Sequence, residues 1–227
     1  TLSSSSAASD VYKRQNMGCP MPKIVNNGMG SAMLRDMTTA SKVITAAKLN
    51  TPKPVTVKMR IGWDENINAV EFARMCETSG ADAICVHGRT REQMYTGRAD
   101  WQVICEVKNA VNIPVIGNGD ITSAEEAHRA IAEYGVDGVA IGRGALGNPW
   151  LFATLSGKSF DYSPLQVILW HYRLAVDFYG EKRAIPLMRK ILSWYLKRAG
   201  IPKNVRAEMN TISNYSQLVE MLNNAFV

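Results

Sequence analysis

The sequence holds little cysteine and no close cysteine pair. Its four cysteines, Cys19, Cys76, Cys85 and Cys105, never stand as C-x-x-C. That argues against a zinc or iron–sulfur site, and so few thiols do not make a disulfide-stapled scaffold. No apolar run approaches the roughly 18–20 residues that cross a bilayer, and no charged–apolar–small-residue leader is visible. A secreted or membrane protein is therefore not expected. The expected setting is the reducing cytoplasm, without a metal or a membrane partner. Hydrophobic residues make up 46% of the chain and charged residues 20%, which suits one sizeable core, alone or with a small appended module.

Acidic charge is scarce in one place. The net charge of the chain is +6, and most of it falls between Leu165 and Val227. There Arg173, Lys182, Arg183, Arg189, Lys190, Lys197, Arg198, Lys203 and Arg206 face only Asp177, Glu181, Glu208 and Glu220. A localised positive field suits a polyanionic partner, and a solvated helical surface would look the same.

The first fifteen residues differ from the rest. Thr1 to Ala8 is a Ser/Ala run without periodicity, and Asp10 to Gln15 then joins abruptly to a dense motif. Residues 1–15 are expected to be a non-native or disordered leader outside the fold. Beyond them a strand–helix grammar repeats. Pro54 to Arg60, Asp82 to His87, Ile113 to Gly117 and Asp137 to Gly142 are short β-branched or apolar runs. Helical stretches separate them, one with Val70, Ala73 and Cys76 on a face, another with Ala124, Ala127 and Ile131. Thr122 and Ser123 each precede a glutamate by three residues, giving two overlapping capping-box candidates.

Apolar strands separated by helices predict a parallel sheet with a covered outer face. Each strand ends in polar or glycine-rich residues, and in a β/α barrel those ends gather catalysis and cofactor binding. From Leu165 the strand signal stops and helices follow, with Ile168, Leu169, Tyr172 and Val176, then Ile185, Met188, Leu192 and Tyr195, on buried faces. The expected domains are 16–160 and 161–227, with the boundary near Ser159 to Pro164.

Several motifs carry chemistry. In Asn16-Met-Gly-Cys-Pro20 the neighbours of Cys19 dictate a loop, where a thiol is accessible and can act as an acid. On spacing alone it reads equally as a catalytic or a structural residue; Cys76, Cys85 and Cys105 read as packing. Gly142-Arg-Gly-Ala-Leu-Gly147 matches G-x-G-x-x-G but follows the last strand, where a dinucleotide fold would place it after the first. It reads better as a phosphate cradle, with backbone N–H groups at a helix start and Arg143 adding charge. Asn118-Gly119-Asp120 would be its other half; two ordinary tight turns are the plain alternative. Lys58 ends a strand whose inner face should be apolar, which is costly unless it meets an anion or an electron-rich ring edge. His87-Gly-Arg-Thr-Arg91 offers an imidazole and two guanidiniums at the next strand end. The Asn27 to Ser31 turn reads as a helix entry.

With these residues in view, the chain resembles the tRNA-dihydrouridine synthases, most closely the bacterial B-type branch. The matching elements are Asn16 to Pro20 with Lys23, the Gly28 to Ala32 turn, Val57 to Gly62, Val86 to Arg91 and Tyr95 to Trp101. Val115 to Asp120, Ile141 to Ala145 and the helix from Met188 to Lys197 complete the set. The resemblance implies an α/β fold, the C-terminal part of a TIM (β/α)8 barrel that binds FMN, followed by a small all-helical tRNA-binding domain. It implies Cys19 as proton donor and Lys58, His87, Asn118, Gly119, Asp120, Gly142 and Arg143 at the flavin. Asn16 and Arg91 are weaker candidates for the uridine pocket. NADPH would be the reductant, tRNA the partner and a monomer the expected state.

The family's apolar-Pro-Met-Gly-type first strand and a later glutamine-bearing strand are missing ahead of the cysteine motif. Only the last four barrel strands are expected in full, as in a fragment that would hold FMN weakly alone. In the implied reaction a hydride passes to carbon-6 of uracil, and Cys19 protonates carbon-5 from the opposite side, a role that suits a thiol able to give up its proton. The buried uridine must be unstacked at a cost of a few kcal/mol, offset by phosphate contacts from basic helices. Two alternatives stand beside this one: a related flavin oxidoreductase acting on free pyrimidines or orotate, and a non-catalytic RNA-binding module.

Overall fold

The structure, a computed structural model, describes residues 12–159, 161–209 and 211–226. The Ser/Ala run expected as a leader lies outside them. Two compact units divide between Gly142 and Arg143.

The first unit is a parallel sheet with helices between its strands. β1 spans Lys13–Met17, β2 Val55–Arg60, β3 Ala83–His87, β4 Val115–Asn118 and β5 Gly138–Ala140. They pair in chain order, so β1 and β5 form the two edges among the described residues. This is the α/β fold with a parallel sheet that the strand–helix grammar predicts. After β1 come α1 (Pro22–Val25), a 3-10 turn at Gly30–Arg35 and α2 (Met37–Leu49); α3 (Ala69–Thr78), α4 (Trp101–Ala110) and α5 (Ala124–Tyr134) follow β2, β3 and β4. Val57, Met59, Ile84, Val86 and Val115 are fully buried against Ile44, Phe72, Cys76, Ile104 and Val107 of the helices. Gly117 permits this packing where α4 crosses β4: a Cβ there would stand 2.3 Å from the Trp101 ring.

The strand count corrects the expected leader. Lys13, Arg14 and Gln15 belong to β1, in register with Val55, Thr56 and Val57, and Lys13 N donates to the Pro54 carbonyl at 2.8 Å. A polar edge strand is hard to see in sequence because only Met17 of Lys13–Met17 is buried. Backbone pairing, not apolar content, holds the rest.

Two helix details also differ from expectation. Of the overlapping capping boxes only Ser123 with Glu126 forms, while Thr122 gives its N–H and hydroxyl to the same Glu126 carboxylate. The buried stripe of α5 is Ala124, Ala127 and Ala130, and Ile131 is exposed.

The second unit is helical: α6 (Leu151–Leu155), α7 (Pro164–Tyr179), α8 (Glu181–Arg198), α9 (Lys203–Met209) and α10 (Tyr215–Ala225). Ile168, Tyr172, Ile185, Met188, Leu192 and Tyr195 share its core. The unit begins earlier than 159–164 because the segment after Gly142 packs on α8. A Cβ on Gly147 would stand 2.6 Å from the Trp194 backbone, and the Trp150 ring lies 6.5 Å from that of Tyr195.

Candidate active site

Alternation sends every second side chain of a strand to the face away from the helices. In register across the sheet, that face carries Asn16 beside Lys58, Lys58 beside Cys85, and Arg60 beside His87. It continues with His87 beside Asn118 and Asn118 beside Ala140. Four predicted residues are thereby aligned at the C-terminal ends of β1 to β4.

Lys58 donates to Oδ1 of Asn118 at 2.8 Å, and Asn118 Nδ2 donates to the Ala140 carbonyl at 2.7 Å. No carboxylate pairs with this lysine among the described residues. Burial is the main cause that pushes its pKa below the usual ammonium value, with Arg60 and Arg14 adding repulsion and Cys85 opposing. The ammonium therefore retains unmet affinity for an anion or an electron-rich ring edge.

His87 sits deeper in positive surroundings. Burial, then the Arg60, Lys58 and Arg89 charges, push its pKa down to about 3, with Asp120 opposing. The imidazole is neutral at physiological pH. Arg89 Nη1 lies 3.4 Å from His87 Nε2, and a guanidinium only donates, so Nε2 accepts and Nδ1 carries the proton. Gly119, at φ +136°, passes close by: a Cβ there would meet Ala99 Cβ at 2.4 Å and His87 Cδ2 at 3.3 Å.

Asp120, expected at the cofactor, is engaged by groups of the protein itself. Its carboxylate accepts from Arg89 Nη2 at 2.7 and 2.8 Å and from Ala99 N at 2.8 Å. Arg89, 2% exposed, also donates to the Thr96 and Gly97 carbonyls. Asp120 thus holds a buried guanidinium, and that guanidinium holds His87. Sequence reading missed this brace, and equally Arg60. Arg60 is 2% exposed and donates to the carbonyls of Gly18, Thr90 and Met94 at 2.9, 2.7 and 2.8 Å. It ties the loop after β1 to the loop after β3. An arginine two positions beyond the site lysine or histidine was the available signal.

Cys19 lies in the loop after β1, half-buried and free. Asn16 Oδ1 accepts from Gly18 N and Cys19 N at 3.2 and 3.1 Å, so Asn16 shapes the corner. From the other side Ser31 gives its N–H and hydroxyl to the Cys19 carbonyl at 3.0 and 2.9 Å. Gly30 must be glycine there: φ is +62°, and a Cβ would stand 2.7 Å from the Cys19 carbonyl oxygen. The Asn27 to Ser31 turn is a support for the thiol loop, beyond the helix entry expected of it.

The remaining predicted residues have surroundings of their own. Arg91 stacks on Trp63, its guanidinium carbon 4.7 Å from the ring centroid. Gly142 is exposed with nothing within 4 Å of a Cβ position. Arg143, also exposed, opens a 3-10 turn that ends at Ala145. The helix start expected to present N–H groups is therefore a single short turn, and Gly147 serves packing against α8.

The sequence profile of the dihydrouridine synthase (Dus) family matches residues 15–227. The chain belongs to the dihydrouridine synthase family. A probable tRNA-dihydrouridine synthase of Rickettsia bellii is 45% identical over 199 residues, covering 83% of this chain and 60% of that protein. The tRNA-dihydrouridine synthase B of Pseudomonas aeruginosa is 39% identical over 209 residues, covering 88% and 63%. The chain spans about three fifths of the length of these relatives. The family match opens inside β1. Among the described residues of this family member, no helix is long and apolar enough to cross a membrane, and no group of three or more His, Cys, Asp or Glu side chains could hold a metal ion.

Proposed function

We propose that this dihydrouridine synthase chain serves the FMN-dependent reduction of uridine in tRNA to 5,6-dihydrouridine, with NADPH as reductant. The observation that carries the reading is the line of Lys58, His87 and Asn118 on neighbouring strand ends. It presents a cation with no carboxylate partner among the described residues, a neutral imidazole with a proton on Nδ1, and an amide. Those donors fit the electron-rich edge of a flavin ring. The curated relatives named tRNA-dihydrouridine synthases support the choice of substrate.

When bound, FMN supplies the hydride for the uracil ring. The chain's own part is to bind, orient and move a proton. Lys58 opposes negative charge on the ring edge, and being desolvated it does so more strongly than in water. His87 donates from Nδ1. Cys19, held from two sides by Asn16 and Ser31, gives its proton to carbon-5 of the uracil. Asn16 borders the nucleobase. Gly142 and Arg143 are the candidates for the cofactor phosphate, on their sequence and exposure. We read the five strands as part of a (β/α)8 barrel, since polar groups gather at the C-terminal strand ends.

The helical unit supplies the surface for tRNA. On α8 the exposed Arg183, Lys190 and Lys197 follow one another at heptad spacing and so share a face. Lys197 Nζ lies 5.9 Å from the Trp194 ring centroid. A row of exposed cations beside an aromatic suits a phosphate backbone, and the cytoplasm is where such a substrate is met.

Titrating the protein with FMN, followed by flavin fluorescence, tests the reading. Lys58→Met removes a charge-assisted contact worth about 1.5–3 kcal/mol, so affinity should fall roughly 10- to 100-fold. Equal affinity in the variant would overturn the assignment.

A further inference from the structure

Three loops at the C-terminal end of the sheet meet at one indole. Arg35 closes the 3-10 turn after β1, Trp63 follows β2 and Arg91 follows β3. The guanidinium carbon of Arg35 is 4.9 Å from the Trp63 ring centroid and that of Arg91 is 4.7 Å. The backbone fixes this arrangement: Arg91 N donates to the Gly62 carbonyl at 2.9 Å and Glu92 N to the Trp63 carbonyl at 3.0 Å.

The charges are only partly balanced: the Arg35 guanidinium acts on Asp64 through space, after the Asn66 hydrogen bonds, in holding that carboxyl below its usual range. Neither guanidinium has a carboxylate in ion-pair reach among the described residues. Asp64, the neighbour of Trp63, instead accepts from Asn66 N and Nδ2, both at 2.9 Å. Arg91 Nε is buried without a hydrogen-bond partner, although an orphaned buried donor on a cation is expensive. One arginine would satisfy a packing cation–π contact; the second adds repulsion. An anion received by the guanidinium ends of both relieves the repulsion, and Arg35 is exposed, so a ligand has access.

We propose that Arg35 and Arg91, spread on Trp63, bind a backbone phosphodiester of the RNA next to the nucleoside being reduced. The proposal rests on the tRNA reading above and adds to it a phosphate site outside the helical unit. Guanidiniums match phosphate oxygens in pairs. A polynucleotide offers phosphates on both sides of an unstacked base, at the sheet end where Cys19 and Lys58 stand. A phosphate of the nicotinamide reductant has the same chemistry, and the experiment separates the two.

The test is tRNA binding by fluorescence anisotropy as a function of salt. Each lost phosphate contact lowers the slope of log K against log salt by about 0.7–0.9. Arg35→Gln combined with Arg91→Gln, which loses one phosphate, should therefore reduce its magnitude by roughly 0.7–0.9, while Arg35→Lys with Arg91→Lys should keep the wild-type slope. The reduction of bound flavin by NADPH should proceed in the Gln pair at the wild-type rate. An unchanged slope in the Gln pair, with wild-type protein binding tRNA, would overturn the proposal and leave the function reading intact. Slowed reduction by NADPH with an unchanged slope would overturn it in favour of the reductant. Absence of any tRNA binding by the wild-type protein would defeat the function reading and this proposal with it.

Discussion

Asp120→Ala would strip Arg89 of the one carboxylate that pairs with it among the described residues. The guanidinium is 2% exposed and lies 2.7 Å from an Asp120 oxygen, while the aspartate side chain is 37% exposed. Removing one partner of a buried pair costs about 3–5 kcal/mol because the other charge stays behind in low dielectric. Here Arg89 would keep the Thr96 and Gly97 carbonyls, and water reaches the vacated side, so the lower end, about 3 kcal/mol, applies. At several degrees per kcal/mol for a unit of this size, the melting midpoint of the sheet unit should fall by roughly 10 °C in circular dichroism. Asp120→Asn keeps an oxygen for Ala99 N and should lose about half as much. A midpoint unmoved by Asp120→Ala, together with a collapse in FMN affinity, would refute the brace and make Asp120 a ligand contact.

Further outcomes follow from single residues. His87, with its pKa down at about 3 against 6.5 for a free imidazole, binds fewer protons folded than unfolded between those values. Its contribution to stability is therefore complete above pH 6.5 and lost as the pH falls towards 3; an NMR titration midpoint near 6.5 would contradict the buried, cation-flanked site. Gly30→Ala should destabilise by more than Gly28→Ala. Both have φ near +60–70°, worth about 1–2 kcal/mol, but only at Gly30 does the new Cβ meet the Cys19 carbonyl; equal melting temperatures would remove the steric account of that corner. Gly147→Ala should unsettle the helical unit by forcing a Cβ onto the Trp194 backbone, whereas Gly142→Ala should leave stability within about 0.5 kcal/mol. A large loss at Gly142 would show a packing role that the open space around it denies.

Much of the site was legible in sequence because strand ends announce themselves. Lys58, His87 and Asn118 each close a run of apolar alternation, and register alone aligns them. The helical stripes of α7 and α8 were equally plain from period. What stayed hidden was set by backbone geometry. β1 escaped because an edge strand needs only one buried side chain, so Lys13-Arg14-Gln15 carries no apolar signal. Ser31 and Gly30 escaped because their partner is a carbonyl twelve residues away in another loop. Arg89 and Asp120 looked like ligand groups, and only contact distances show that they satisfy each other. The boundary at Gly142 depends on Gly147 fitting against α8, a contact that composition cannot express.

The central claim is that a thiol on the β1 loop and the donors at the ends of β2 to β4 serve one nucleobase. Flavin-loaded protein reduced by NADPH and then mixed with unmodified tRNA measures it directly, comparing wild type with Cys19→Ala. The account predicts that flavin reduction by NADPH is unchanged and that dihydrouridine formation is lost in the variant. Dihydrouridine formed at the wild-type rate without the Cys19 thiol would contradict it.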